Sequence, residues 1–323
     1  MEKKHWLIVL SCALAAPLAY AQSTGDYPTR PIRFLVPLSP GGGADISSRA
    51  VAVRLSEALR QQVIVDNRPG GAGNVSLEIL ANAAPDGYVM GLVTTTHTIN
   101  RSLQKKLPYD LMRDFVGVTQ LTAQPYCLSI NPKIPAKNVR ELVEFGRAKP
   151  DALFYGSAGI GSLSHLAGEL FAKSAKMSWT HVPYKGGVLG INDMITGQIS
   201  AQFTTIIGTA QHVKAGRLRW LAVSSPARSK VVPDLPTVAE SGVPGFDIVG
   251  FYGVAMPAAT PRPIVERVSR EIVNILKSPD VGGRFALDGS EPVGGSPAEF
   301  TAFIRKETDR YAKLTREIGM KAE

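Results

Sequence analysis

Residues 32–45 read Ile32-Arg33-Phe34-Leu35-Val36-Pro37-Leu38-Ser39-Pro40-Gly41-Gly42-Gly43-Ala44-Asp45, an apolar run followed by a loop with three consecutive glycines. The apolar run predicts a β-strand, and the spacing of apolar residues over 45–59 predicts an amphipathic helix. The residues expected on its inner face are Ile46, Ala50, Val53 and Leu55. In open α/β sheets, ligands bind where a strand ends and a helix begins, so this loop is a candidate site.

The alternation of β-rich runs with helical patterns continues along the chain, and a second unit of the same kind begins near Leu128. This rhythm indicates a parallel or mostly parallel sheet with helices on both faces. Further strands are predicted at 63–65, 89–94, 153–155, 180–182, 199–204, 218–223 and 247–254. Further helices are predicted at 74–82, from Asn138 to before Pro150, and at 162–176, 190–196, 262–277, 280–287 and 296–318.

The last three predicted helices follow a single short β run, so they cannot form an α/β domain of their own. We therefore expect them to pack onto one of two sheets. The sequence predicts two α/β lobes, with the chain crossing between them and returning. Lobe 1 is assigned to residues 22–125 and 247–323, and lobe 2 to residues 126–246.

Residues 1–21 have the composition of a secretory signal peptide. Two lysines stand near the start, Trp6–Ala16 is apolar apart from one serine, and residues 19–21 are a small-x-small cleavage site. The apolar run is shorter than the roughly 20 residues that span a bilayer. We therefore expect cleavage after Ala21 and an exported mature protein. A lipoprotein signal that uses Cys12 is the alternative interpretation, although Leu10 suits it poorly.

The charge of the chain is basic but scattered. The 323 residues include 36 Lys and Arg against 27 Asp and Glu, and the net charge of +9 becomes +8 when the signal peptide, with two Lys and one Glu, is removed. Without a basic stripe, nucleic acid is a poor fit as a partner. Cys and His residues are not clustered at metal-ligand spacing, so neither a metal nor another cofactor is expected. Cys127 is expected to be a buried small hydrophobe.

Three loops follow a predicted strand: residues 37–45 and 156–162 combine glycines with hydroxyl side chains, and residues 94–98 are rich in threonine. They contain no Lys or Arg. Backbone N–H and hydroxyl donors of this kind suit a carboxylate or another small anion, although turn geometry alone also explains the glycines. Asp45 either caps its helix or reaches the ligand, directly or through water.

Nucleotide binding is not supported, because residues 156–162 show the spacing G-x-x-G-x-G and no acidic residue follows about 20 positions later. The alternative from a different class is an exported esterase or amidase that acts on a small acid through Ser162 and His165. These residues lie three positions apart on one face of a predicted helix. A triad usually takes its base from a distant segment with a carboxylate behind it, so the competing interpretation makes Ser162 a helix cap.

An ordered series of short motifs resembles the Bug-type solute-binding proteins, the extracytoplasmic receptors associated with tripartite tricarboxylate transporters. The resemblance spans essentially the whole mature chain, and the series is specific although each motif alone is weak. The motifs are PTRPI (28–32), PGGGAD (40–45), VDNRPG (65–70), PDGY (85–88), GSAGIGS (156–162), HVPYKG (181–186), PDLPT (233–237) and PAATP (257–261).

This resemblance implies a two-lobed periplasmic binding protein, type II-like, with two α/β lobes, two crossovers and a ligand cleft between them. It implies a non-enzymatic receptor for a small organic anion such as a di- or tricarboxylate, an acidic amino acid or an aromatic acid. Membrane transporter subunits are the implied partners, with a sensor kinase ectodomain as the sensory alternative. Carried over by position, the ligand-binding residues are Ser39, Pro40, Gly41, Gly42, Gly43, Ala44, Asp45, Thr95, Thr96, Ser157, Gly161, Ser162 and Thr205.

Overall fold

The computed structural model describes residues 27–104, 106–287 and 289–321, so the predicted signal peptide lies outside the described residues. The strands are β1 (Ile32–Val36), β2 (Val63–Asn67), β3 (Val89–Thr94), β4 (Phe115–Ile130), β5 (Phe154–Ser157), β6 (Thr180–Pro183), β7 (Ala201–Thr205), β8 (Arg219–Val223), β9 (Val249–Pro257) and β10 (Glu291–Gly294). The helices are α1 (Gly43–Leu59), α2 (Asn74–Ala81), α3 (Thr95–Leu103), α4 (Val139–Ala148), α5 (Leu163–Ala175), α6 (Gly187–Thr196), α7 (Ile206–Lys214), α8 (Arg262–Leu276), α9 (Pro279–Leu287) and α10 (Pro297–Ile318).

The strands form one mixed sheet in the order β2-β1-β3-β9-β4-β7-β5-β6, with β8 and β10 also paired to β4. Strand β1 is parallel to β2 and β3, and β5 is parallel to β6 and β7. The central strands β4 and β9 are antiparallel to their neighbours. The α/β class is confirmed, whereas a mostly parallel sheet is wrong for the centre. The alternation of strands and helices predicts parallel pairing only for strands that are joined by a helix. Strand β9 follows β8 through a long loop, so the alternation does not determine its direction.

Strand β4 belongs to both halves of this sheet. Up to Pro125 it pairs with β9, and from Tyr126 onward it pairs with β7. The boundary between lobes that the sequence predicts, 125/126, coincides with this change of partner. The division of the chain into lobes at 125/126 and 246/247 stays a prediction.

Helix α1 covers the half that contains β1, and its inner face differs from the prediction at one position. Val53 is 58% exposed, whereas Val51 is fully buried. Val51 and Leu55 lie four residues apart and therefore share a face of the helix. Val53 is two residues from each of them, which at 3.6 residues per turn places it about 160° away around the helix axis. Ala50 and Leu55 are buried as predicted.

Helix α10 packs against both halves of the sheet, which corrects the expectation that the terminal helices cover only one. Phe300, near its start, packs with Phe251 of β9. Tyr311, two-thirds of the way along, is fully buried in the core of the other half, and its hydroxyl donates to the carbonyl of Val249. A helix of 22 residues is about 33 Å long, enough to reach across a domain. Helices α8 and α9 pack with α1 in the first half.

Substitution of Gly253 by Ala is expected to destabilise the fold. A Cβ at this position in β9 would collide with the ring of Phe300, and overpacking of this kind costs about 1–3 kcal/mol. Urea denaturation should show the loss, with partial recovery in Gly253→Ala/Phe300→Leu. The matched control is Gly282→Ala in α9, where a Cβ meets nothing within 4 Å and the helix should gain about 0.5–1 kcal/mol. Equal stability of Gly253→Ala and wild type would contradict this packing.

Candidate functional site

A cavity of about 60 Å³ lies between the two halves of the sheet, where three helices begin. The first residues of α1 and α6 contribute Gly43, Gly187 and Val188, and the residues just before α1, α6 and α7 contribute Gly42, Gly186 and Thr205. We call this space the first cavity. Its other lining residues are Leu38, Ser39, Tyr126, Ala158, Ser164, Ile191, Gln202, Phe203, Thr204, Gly208 and Tyr252.

The three helix ends make the first cavity favourable for negative charge. The N-cap positions Gly42, Gly186 and Thr205 provide no side-chain hydrogen bond to the first turns of their helices. The N–H groups that begin a helix and the helix dipole give such ends a partial positive charge. None of the described residues that line this cavity carries a charged side chain. The arrangement therefore suits a small anion bound by neutral donors.

A second cavity of about 180 Å³ adjoins the first and shares Leu38, Ala158 and Gly186 with it. Its wall is formed by backbone and apolar groups, together with one lysine, Lys185. The other residues that line it are Pro37, Pro69, Gly70, Gly71, Ala72, Gly73, Gly159 and Tyr184.

The loops of the two halves are in contact around these cavities. The Ser39 hydroxyl donates to the carbonyl of Lys185 at 3.2 Å. Gly186 has a φ of +120°, and a Cβ there would lie 3.0 Å from the Ser39 Oγ. Gly161 likewise has a φ of +77°, and a Cβ there would collide with the Oδ1 of Asn100. Glycine thus allows the Ser39 loop to approach residue 186 and helix α3 to approach residue 161.

The structure separates the predicted ligand-binding residues into groups. Ser39, Gly42, Gly43 and Thr205 line the first cavity. Pro40 and Gly41 are exposed, and Ala44 is buried in the core of the first half. Gly161 lines a different cavity of about 850 Å³, next to Asn100 and the end of α10. Contact of any of these residues with a ligand stays a prediction.

The predicted threonines belong to a helix that the sequence interpretation missed. Residues 94–98 were expected as a loop, but Thr94 is the N-cap of α3 and Thr95 is its first residue. The Thr95 hydroxyl accepts the N–H of Phe251 at 2.8 Å and is buried. Thr96, the next residue of the helix, is half-buried.

Asp45 stabilises the glycine loop and does not occupy the N-cap position of α1. Its carboxylate accepts the N–H of Gly41 at 3.0 Å and the guanidinium of Arg49 at 3.0 and 3.1 Å. Burial by itself would raise the pKa of Asp45, but the hydrogen bonds from Arg49 and Gly41 outweigh it and the pKa is lowered. Asp45 is therefore ionised and neutralised by Arg49. It does not line the first cavity.

Two stacked histidines hold the loop at residues 157–161. The rings of His165 and His181 have centroids 3.9 Å apart and are nearly parallel, at 8°. His165 Nδ1 accepts the N–H of Gly161 at 3.1 Å, and His181 Nε2 lies 2.6 Å from the Ser157 Oγ. Burial lowers the pKa of His165 to about 3, with a contribution from His181, and burial lowers that of His181 to about 4. Both rings are therefore neutral near pH 7.

The residues of the hydrolase hypothesis are placed as a helix cap. Ser162 is the N-cap of α5, and its Oγ accepts the backbone N–H of His165 at 3.2 Å. The Nδ1 of His165 accepts the N–H of Gly161, and the Ser157 hydroxyl is hydrogen-bonded to the other stacked histidine, His181. Ser157 is fully buried.

Sequence reasoning missed the loop from Tyr184 to Val188 and the helix α7. The loop carries Gly186-Gly187 between β6 and α6, the same strand, glycine and helix pattern as at residues 32–45. That pattern would have identified it as a fourth candidate loop. The cavity residues Gln202 and Tyr252 lie within strands, and no local motif distinguishes them from core residues.

Comparison with known proteins identifies the family. The family described as tripartite tricarboxylate transporter family receptor matches residues 47–320. The chain belongs to this family. The resemblance to Bug-type receptors is thereby confirmed, and with it the class of periplasmic solute-binding proteins.

Solved structures of similar proteins have the same fold. The Rpa4515 protein of R. palustris, solved with adipate, has 33% identity and a TM-score of 0.89 over 92% of this chain and 99% of its own. The periplasmic binding protein BugD has 28% identity and a TM-score of 0.88 over 92% and 100%. MatC of Rhodopseudomonas palustris, with bound malate, has 26% identity and a TM-score of 0.84 over 89% and 99%. The two-lobed fold expected from the motifs is thus confirmed. Within the described residues, no helix has the length and apolar character needed to cross a membrane.

The free energy of unfolding is expected to fall as the pH falls from 6.5 towards 3, in part because of His165. Its pKa is about 3 in the folded state and about 6.5 when exposed, so in this window only the unfolded state binds the proton. In His165→Gln, whose amide oxygen can still accept from Gly161, the slope of unfolding free energy against pH should be smaller by about 1.4 kcal/mol per pH unit. Denaturant titrations at several pH values would measure it. An unchanged slope would show that His165 is protonated in the folded protein as well.

Proposed function

We propose that the protein is an exported receptor that captures a small carboxylate in the first cavity for uptake by a tripartite tricarboxylate-type transporter. The observation that carries this proposal is the convergence of three helix N-termini, from both halves of the sheet, on one cavity without a charged side chain. Membership of the receptor family supports it. Export through a signal peptide cleaved after Ala21 is part of the proposal.

The binding energy would come from neutral donors that become shielded from water when the lobes close. A hydrogen bond to a charged group contributes about 1.5–3 kcal/mol net. The N–H groups at the starts of α1, α6 and α7 and the hydroxyl of Thr205 supply such donors. Because α1 lies in one lobe and α6 and α7 in the other, a ligand that contacts all three would favour the closed arrangement.

The ligands of two structural relatives support the carboxylate class. The Rpa4515 protein was solved with adipate and MatC with malate, and both ligands are dicarboxylates. A thermal-shift screen of the exported protein against mono-, di- and tricarboxylates, acidic amino acids and aromatic acids would test the proposal. A ligand that binds only the native state, at 100 times its Kd, should add about 2.7 kcal/mol to stability. Steady hydrolysis of an ester or amide of such an acid, lost in Ser162→Ala, would contradict a receptor.

A matched pair of substitutions at Gly42 is expected to locate the bound anion. Gly42 has an extended backbone with a φ of −86°, and a Cβ there meets only ordinary contacts at 3.8 and 3.9 Å. Asp and Asn are both good N-cap residues, so neither change should reduce stability. The charge of Gly42→Asp should weaken carboxylate binding by about tenfold or more relative to Gly42→Asn. Isothermal titration calorimetry with the hit from the screen measures the ratio, and equal affinities would place the anion elsewhere.

A further inference from the structure

Lys185 holds a distinctive position at the two cavities. Among the described residues that line either of them, it alone carries a charge. Its backbone is hydrogen-bonded across the cleft, since the Ser39 hydroxyl donates to its carbonyl at 3.2 Å. Gly186, next in the chain, lines both cavities.

The ammonium group of Lys185 has no counter-ion in the described part of the chain. The side chain is exposed, and no described carboxylate lies within ion-pair distance of it, in contrast to Lys230 and Lys313. The second cavity is otherwise walled by backbone and by apolar groups such as Pro37 and Pro69. These surroundings suit a short hydrocarbon chain with a negative charge at its end.

We propose that Lys185 binds the far carboxylate of an elongated diacid whose first carboxylate lies at the helix ends of the first cavity. The hydrocarbon part of the ligand then extends past Leu38 and Ala158, which the two cavities share. Lys185 is thereby a specificity residue, because it favours an elongated diacid over a monoacid of the same length. This inference rests on the proposed function, since it requires a carboxylate in the first cavity.

The contribution of Lys185 depends on how far closure shields it. An exposed ion pair strengthens binding by up to about fivefold, whereas a shielded, charge-assisted hydrogen bond strengthens it by up to about a hundredfold. We therefore expect wild type to prefer the diacid over the matched monoacid by roughly 5- to 50-fold. Screening by salt should reduce this preference.

The test compares adipate with hexanoate, which has the same carbon chain but a methyl group in place of the second carboxylate. In Lys185→Met, which keeps the length and apolar stem of the side chain, adipate affinity should fall to about that of hexanoate, and hexanoate affinity should not change. Lys185→Arg should retain the preference. Lys214→Met is the matched control, because Lys214 is an exposed lysine of α7 that lines neither cavity. Calorimetry at two salt concentrations gives each Kd.

The outcomes separate this inference from the proposed function. If wild type binds adipate more tightly than hexanoate and Lys185→Met keeps the ratio, Lys185 is not the determinant and the inference fails alone. The inference about Lys185 also fails alone if wild type binds adipate and hexanoate equally, or if it binds only diacids much shorter than adipate. If no carboxylate binds to the wild type, the proposed function fails and this inference with it.

Discussion

Strand β4 is the element on which the position of the cleft depends, because it is hydrogen-bonded to both halves of the sheet. Its partner changes between Pro125 and Tyr126. Ser224, fully buried, strengthens this point: its Oγ accepts the N–H of Tyr126 at 2.8 Å and donates to the carbonyl of Ile248 at 2.6 Å. One hydroxyl thus connects the middle of β4 with the end of β8 and the segment that leads into β9. The two halves of the sheet separate at this position in β4, and Tyr126, which lies there, lines the first cavity.

The chemistry of the site follows from the direction of the strands on either side. Helices α1, α6 and α7 each begin just after a strand ends, so their N-termini face the cleft from both halves. The donors are peptide N–H groups, which cannot be titrated and whose positions are fixed by the helices. Lysines or arginines in the first cavity would have to be desolvated in the absence of ligand, which is costly for a buried charge without a partner. Helix ends provide positive potential without that cost, and Asp45, the acidic group behind the loop, is neutralised by Arg49.

The sequence predicted the elements whose signals are local, and it failed where long-range pairing or unusual capping decides the structure. The glycine loop before α1, the capping residue Asn138 of α4 and the Ser296 start of α10 are such local signals. Helix α3 was missed because its cap is unusual: Thr94 receives the helix N–H, and the Nδ1 of His97 accepts the N–H of Thr94 where Glu or Gln is normally found. The antiparallel centre of the sheet was missed because the pairing of β4 with β9 joins residues more than a hundred positions apart.

The candidate site was predicted in part for the same reason. Glycine-rich loops can be recognised in the sequence, so Gly42, Gly43 and Ser39 were identified, whereas Gln202 and Tyr252 reach the cavity only through the arrangement of whole strands. Gly161 was predicted from its motif to bind the ligand, but the structure gives another reason for glycine at this position. Asn100 approaches it so closely from the opposite half that a Cβ would collide with the Asn100 side chain.

The contacts that join the two halves at the cleft are few and weak, which has a consequence for how the receptor would work. They include one hydroxyl-to-carbonyl bond from Ser39 to Lys185, and the glycine positions 161 and 186 that only permit close approach. The ion pair between Lys230 and Glu291 joins the predicted lobes as well, but both side chains are more than half exposed, at 83% and 60%. Exposed pairs of this kind contribute about 0–1 kcal/mol. If the ligand binds as proposed, contacts this weak would leave the balance between open and closed forms to it, since a ligand held by helix ends of both lobes would add more binding energy to the closed form than these contacts do.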